Sequence, residues 1–154
     1  MISSRQRKYA LVTGASSGIG REYAAQLAAK GYDLVMAGNR DEENRAAARE
    51  IAARYGVRTL PLCMDLSEPD AAVKLHAETS ARGIEIGVLV CNAGIAQVKL
   101  FTDTTDEDWR RMMAVDLDGA FYACRAVLPG MTPPGWTPAG QRPPWPRSRR
   151  RRGR

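Results

Sequence analysis

Residues 8–31 read KYALVTGASSGIGREYAAQLAAKG. A short apolar run, 9–13, ends in the turn Thr13-Gly14-Ala15-Ser16-Ser17-Gly18-Ile19-Gly20, and a helical spacing of Ile19, Tyr23 and Leu27 follows. Glycines at 14, 18 and 20 let the backbone turn tightly and approach a bound group closely. The helix starting there aims unpaired N–H groups and about half a positive charge back at the turn, which suits a pyrophosphate. Strand, glycine turn and helix in that order form the context a dinucleotide site requires. The glycines without it would mark an ordinary turn.

The same alternation continues outward from that stretch. The helix over 19–30 stops at Gly31, a suitable residue to end it in the left-handed region. Residues 33–38 read as a second strand, and Asp41 can cap a helix over 41–55, with Glu42 and Glu43 in its first turn. Gly56 ends that helix, and 57–64 form a third strand. Ser67-Glu68-Pro69-Asp70 has the pattern of a capping box and opens a helix to about Arg82. GVLVCN, 87–92, is a fully apolar fourth strand. Thr104 or Thr105, followed by Asp106, Glu107 and Asp108, starts one long helix over 109–128. Continuous apolar strands alternating with helices predict a parallel sheet covered on both faces, a doubly wound α/β fold.

Composition narrows the function classes. The 154 residues suit one compact domain, and no apolar run approaches the roughly 18 residues of a membrane helix. The basic N-terminal stretch passes straight into a strand with no cleavage site, so no signal peptide is expected. The net charge is +6, but 131–154 hold seven arginines and no acid, leaving a net −1 on the first 130 residues. That near-neutral body argues against a nucleic-acid surface. Cys63, Cys91 and Cys124 lack metal-ligand spacing and read as reduced core residues of a cytoplasmic protein; His76 has no partner that suggests catalysis.

TGASSGIG at 13–20, then Cys91-Asn92-Ala93-Gly94 after the fourth strand, resemble the short-chain dehydrogenase/reductase family. Its glycine motif is TGxxxGIG and its second motif is usually NNAG, whose first position is cysteine here. Asp65-Leu66 resembles the family's aspartate that contacts adenine, and Val115-Asp116-Leu117-Asp118-Gly119 resembles its VNLxG segment. The likeness runs over about 8–130 and implies a Rossmann fold that binds NAD(H) or NADP(H) and transfers hydride to or from a carbonyl or alcohol carbon. It carries the cofactor-binding role to Gly14, Ser16, Ser17, Gly18, Ile19, Gly20, Asn39, Arg40, Asp65, Leu66, Asn92, Ala93 and Gly94.

The end of the second strand separates the two cofactors in such proteins. An acid there bonds the ribose hydroxyls and repels a 2′-phosphate. Here neutral Asn39 takes that place, with Arg40 beside it. A guanidinium on a phosphate contributes about 1.5–3 kcal/mol, roughly tenfold to hundredfold in affinity. NADP(H) is therefore expected over NAD(H), although Ser17 occupies a position where a second basic residue often accompanies NADP(H).

The resemblance also implies a catalytic asparagine, a serine and a tyrosine with a lysine four residues later. Asp116 stands at the asparagine position, where a carboxylate lacks the amide's donors. No tyrosine in the chain has a lysine four residues on. The sheet is thus expected to stop after about four strands, with the fourth an unpaired apolar edge. Residues 131–154 contain six prolines among their arginines and no apolar period, predicting disorder. Their mix is that of a GC-rich coding region read in a wrong frame from near Met131. Two domains follow: 1–130, a partial dinucleotide-binding domain, and 131–154, a tail.

The leading expectation is an NAD(P)-dependent oxidoreductase by descent, inactive as written. The alternatives are a non-catalytic dinucleotide-binding module and a tail that binds nucleic acid or an acidic membrane surface, at an affinity falling steeply with salt. A small-molecule substrate, no metal and no membrane partner are expected. The 94–99 stretch and Phe101 would border the substrate pocket, and self-association would use the helix over 109–128.

Overall fold

In the computed structural model, residues 8–131 are described. Four parallel strands, β1 (Tyr9–Thr13), β2 (Asp33–Gly38), β3 (Thr59–Cys63) and β4 (Ile86–Val90), pair in the order β3-β2-β1-β4. Helices α1 (Gly18–Ala29), α2 (Asp41–Tyr55) and α3 (Ala71–Ala81) alternate with them, and α4 (Asp106–Met113) and α5 (Gly119–Met131) follow β4. The chain reverses direction across the sheet after β3, so β1 and β4 meet at a switch point where ligands bind in this architecture. The doubly wound parallel sheet expected from the alternating runs is the fold observed.

Strand alternation divides the core into two layers. Ala10, Val12, Leu34 and Met36 pack with Ala24 and Ala28 of α1 and Ala47, Ala48 and Ile51 of α2. Leu11, Val35, Ala37 and Leu62 face the other way, against Leu75 of α3 and Val127 of α5. All six β2 residues are buried, Asp33 included. The Asp33 carboxylate accepts the Arg58 backbone N–H at 2.9 Å and its Nε at 2.8 Å, and Arg58 lies over the Tyr9 ring. This clamp fastens the three strand starts at the end of the sheet opposite the glycine turn. Asn44, fully buried on α2, donates from Nδ2 to the carbonyls of Met36 (2.7 Å) and Leu62 (3.2 Å), tying the helix to two strands.

Several local expectations are corrected. The buried side of α1 is Gly20, Ala24 and Ala28, not Ile19, Tyr23 and Leu27; Ile19 is 72% exposed. Small residues let α1 lie close on the sheet, which turns Ile19 and Tyr23 outward while Leu27 stays half-buried against the core. Arg40, not Asp41, is the residue before α2, and the Asp41 carboxylate instead pairs with Arg45 one turn on. Ser67 caps no helix. Its N–H and hydroxyl both donate to Asp65 Oδ1, at 2.9 and 2.8 Å, and α3 begins only at Ala71. A capping box does form later, between Thr105 and Asp108.

The long helix expected over 109–128 is two helices joined by one π-helical segment, Ala114–Asp118, and α5 runs through Pro129 to Met131. Strand β3 is confined to Thr59–Cys63 within 57–64, and β4 runs over Ile86–Val90 instead of 87–92, because those are the residues that pair with β2 and β1. The cysteines are free thiols, but Cys63 and Cys91 are exposed and Cys124 half-buried, since the first two lie at or just past a strand's end. Among the described residues, β4 pairs only with β1, leaving the apolar edge that was expected. The predicted disorder and reading-frame change of the tail lie outside the described residues, apart from Met131.

Candidate functional site

The loops at the C-terminal ends of all four strands enclose a cleft of about 270 Å³. The first wall is the glycine turn, whose conformation is imposed by its neighbours. Thr13, buried at the end of β1, places its Oγ1 to accept the N–H groups of Asn92 and Ala93, each at 3.0 Å. Asn92 Nδ2 in turn donates to the carbonyl of Thr13 at 3.1 Å and, more weakly, to that of Gly14 at 3.4 Å. The strap after β4 is thereby locked onto the turn after β1.

This lock explains two of the glycines. Gly14 has φ +66°, and a Cβ there would lie 2.9 Å from Ala93 Cα. A Cβ on Gly20 would lie 2.2 Å from the Gly14 carbonyl oxygen and 2.4 Å from Asn92 Nδ2. Both are required by the chain's own packing, before any ligand is considered. No side chain caps α1 at Ser17, so the N–H groups of its first turn open towards the cleft.

The second wall carries charge. Arg40 Nη2 donates to Ser17 Oγ at 2.5 Å, and its Nη1 pairs with Glu43 at 2.7 Å. Ser17, read in sequence as a missing second base, instead braces the base that is present. Neutral Asn39 lies beside it, and Glu43, which does not line the cleft, is the acid that Arg40 pairs with.

Asp65, at the end of β3, spends Oδ1 on Ser67. The Ser67 backbone N–H, then its hydroxyl, and last the charge of Arg111 hold this carboxyl below the usual carboxylate range. Arg111 reaches the rim from α4, and its side chain makes no hydrogen bond or ion pair among the described residues.

Twelve of the thirteen residues expected to bind cofactor line this one cleft: Gly14, Ser16, Ser17, Ile19, Gly20, Asn39, Arg40, Asp65, Leu66, Asn92, Ala93 and Gly94. Gly18 does not; it is exposed with φ +53° and serves the start of α1. Asp116 lies behind the cleft, where its Oδ1 accepts the Ile95 N–H at 2.8 Å and lies 3.4 Å from where a Gly94 Cβ would stand. It braces the strap against the π-helical segment, a task that needs only an acceptor and that a carboxylate performs.

Of the stretch expected at a substrate pocket, Gly94 and Ile95 line this cleft, and Lys99 and Phe101 do not. Lys99 pairs with Asp108, and Phe101 is 91% exposed. Thr13, Gly38, Met64, Arg111 and Val115 were missed in the sequence. Thr13 had a signal, the hydroxyl that opens the glycine motif; Arg111 had none, being one arginine among several on an exposed helix. Among the described residues there is no cluster of three or more metal-ligating side chains, and no helix is long and apolar enough to cross a membrane.

A doubly wound sheet with a glycine turn and an uncapped helix at its switch point defines a Rossmann-type α/β domain. The chain belongs to the short-chain dehydrogenase/reductase family, whose profile, described as short chain dehydrogenase, matches residues 8–138. It is 36% identical over 131 residues to the 3-oxoacyl-(acyl-carrier-protein) reductase FabG of Aquifex aeolicus, covering 85% of this chain and 53% of that one. It is 32% identical to the very-long-chain 3-oxoacyl-CoA reductase of Laccaria bicolor, covering 84% of this chain and 39% of the other.

Among solved structures, L-sorbose reductase from Gluconobacter frateurii, complexed with NADPH and L-sorbose, superposes with a TM-score of 0.77 at 28% identity. That match covers 82% of this chain and 48% of the other. A metagenomic short-chain oxidoreductase in complex with NADP gives 0.75 at 33% identity, covering 80% and 56%. The chain thus spans about two fifths to just over half of the length of these proteins.

Proposed function

We propose that the cleft binds NADP(H) in preference to NAD(H) and is the cofactor half of an oxidoreductase acting on a carbonyl or alcohol substrate. When bound, the cofactor exchanges a hydride with that carbon. The observation that carries the reading is the Arg40 guanidinium on the cleft wall, held by Ser17 and Glu43 beside neutral Asn39, with no acid at the end of β2 lining the cleft there. The open N–H groups at the start of α1 fit the pyrophosphate, and the glycines at 14 and 20 clear its path. Asp65 keeps one carboxylate oxygen free of Ser67 and stays ionised at neutral pH, which suits acceptance of a hydrogen bond from the adenine amine. The NADPH and NADP complexes of the related structures support the same choice.

Dissociation constants of the 154-residue chain for NADPH and NADH test the preference. We expect NADPH to bind at least tenfold more tightly, and Arg40→Ala to remove most of that difference while leaving NADH binding nearly unchanged. NADH binding as tightly as NADPH to the unaltered chain would overturn the assignment. With no tyrosine preceding a lysine by four residues, this chain is expected to bind the cofactor without turning over aldehydes or ketones. A panel assay of NADPH oxidation checks that.

Exposed Leu117, Phe121 and Leu128 support self-association along α5, read by sedimentation. Expected is a concentration-dependent dimer, weakened by Phe121→Ser.

A further inference from the structure

Two thiols that lie 33 residues apart in sequence meet in the fold. Cys91, the residue that follows β4, and Cys124, on α5, bring their sulfurs to 4.0 Å. The Cys91 sulfur also lies 3.9 Å from the carbonyl oxygen of Ala120, one turn before Cys124 on the same helix. A disulfide bond needs about 2.05 Å between sulfurs, so side-chain rotation has about 2 Å to close. Cys91 is exposed and Cys124 half-buried, so a small reagent reaches the pair from solvent. Cys63 ends β3, at the opposite edge of the sheet. We propose that Cys91 and Cys124 form a reversible dithiol–disulfide site that staples the strap of the cleft to α5.

The position gives the bridge a consequence. Cys91 immediately precedes Asn92, whose N–H and side-chain amide grip Thr13 and so hold the turn after β1. A covalent tie at Cys91 fixes the root of that strap to the helix behind it. The proposal rests on the fold and is independent of which dinucleotide the cleft takes.

The oxidant is a low-molecular-weight disulfide. The thiolate of one cysteine of the pair attacks one of its sulfurs, forming a mixed disulfide and expelling one thiol. The other cysteine's sulfur then displaces the second thiol as the bond between the two protein sulfurs forms. The protein loses two protons and two electrons, and the reagent disulfide is reduced to two thiols.

Although Cys91 as a residue is exposed, its sulfur rests against the α5 turn. That desolvation, with the neighbouring Cys124 sulfur, pushes its thiol up to about 11. Either sulfur can open the exchange and the other resolve it, and the reaction quickens as pH rises.

The test treats the full chain with oxidised glutathione, then maps peptides by mass before and after dithiothreitol. Expected is a fall from three free thiols to one, a Cys91–Cys124 linked peptide, no retained glutathione, and full reversal by dithiothreitol. Cys91→Ser should retain one glutathione on Cys124, and Cys63→Ser should bridge as the unaltered chain does. The unaltered chain alone decides the matter. Glutathione retained on both Cys91 and Cys124, a bridge through Cys63, a bridge between two chains, or unchanged Cys91 and Cys124 thiols would each overturn the proposal.

Discussion

Strands β2 and β4 flank the same central strand, and both are apolar runs, DLVMAG and IGVLV. All of β2 is buried, whereas in β4 only Ile86 is and the next four residues are half-buried. β2 has a strand on each side; β4 has one neighbour and, among the described residues, an open edge. The segments after β4 share that looseness: Val98, Leu100, Phe101, Trp109, Leu117, Phe121 and Leu128 are all exposed. The same kind of sequence therefore supports two levels of packing, and the number of neighbours decides between them. The cleft spans both, with the glycine turn and Arg40 on the packed side and the strap and Arg111 on the looser one.

The largest test of this contrast is a pair of glycine substitutions. Gly20→Ala drives a Cβ into the Gly14 carbonyl and Asn92, and is expected to cost about 3 kcal/mol and abolish NADPH binding. Gly130→Ala on α5 meets nothing within 4 Å and should stabilise by about 0.5–1 kcal/mol. Urea unfolding with a parallel binding titration reads both, and equal effects would erase the distinction.

A leucine pair asks the same of the core. Leu34→Ala in β2, fully buried, should cost about 3 kcal/mol. Leu128→Ala, half-exposed, should cost less than about 1 kcal/mol. Equal shifts in the unfolding midpoint would mean that the face around α5 is covered in solution.

The clamp at the far end of the sheet comes next. Arg58→Ala leaves the buried Asp33 carboxylate with only the backbone N–H of residue 58 from that clamp. Because Arg58 itself is largely exposed, the expected loss is below that of a wholly buried pair. Thermal unfolding measures it, and cofactor affinity should not move.

The pH response separates the two regions more finely. Asp65 on the cleft wall is held below the usual carboxylate range by Ser67. On the loose side, Asp108 is held there by Lys99 first and then by the Thr105 N–H. A carboxyl whose folded value lies below the unfolded value of about 4 adds stability above that pH and loses it as pH falls through the folded value. The melting temperature should be flat near neutrality and fall below about pH 4, with Asp108→Asn flattening part of that fall. A decline beginning at pH 6 would contradict it.

The smallest effect concerns Glu43, which shares Arg40 with Ser17. Glu43→Gln should tighten NADPH by about threefold, the scale of an exposed ion pair, without changing NADH. A matched gain for both cofactors would indicate a general charge effect instead of a freed Arg40.

Much of the fold was legible because it is written in local pattern. Apolar runs near five residues, glycines at helix ends and the turn at 13–20 each report on their own neighbourhood, and all four strands and the first three helices fall where those signals lie. The errors have local causes too. Ser67-x-x-Asp70 has capping-box letters, but Asp65, two residues earlier, takes the serine first. Ile19, Tyr23 and Leu27 have helical spacing, yet the face chosen is the one whose small side chains admit the sheet. The helix over 109–128 carries a glycine, Gly119, where the π-helical segment ends, but its apolar period runs on and gives no mark of the extra residue in the turn.

The sequence by itself determined the class of fold, the family and the identity of most cleft residues, because a backbone that must turn within eight residues leaves few choices of amino acid. Only the tertiary structure decided what those residues do to one another. Thr13 meets Asn92 across 79 residues, Arg40 meets Ser17 across 23, and Cys91 meets Cys124 across 33. Such contacts depend on which strands become neighbours and on how closely the helices settle on them, and that is a property of the packed sheet rather than of any stretch of chain.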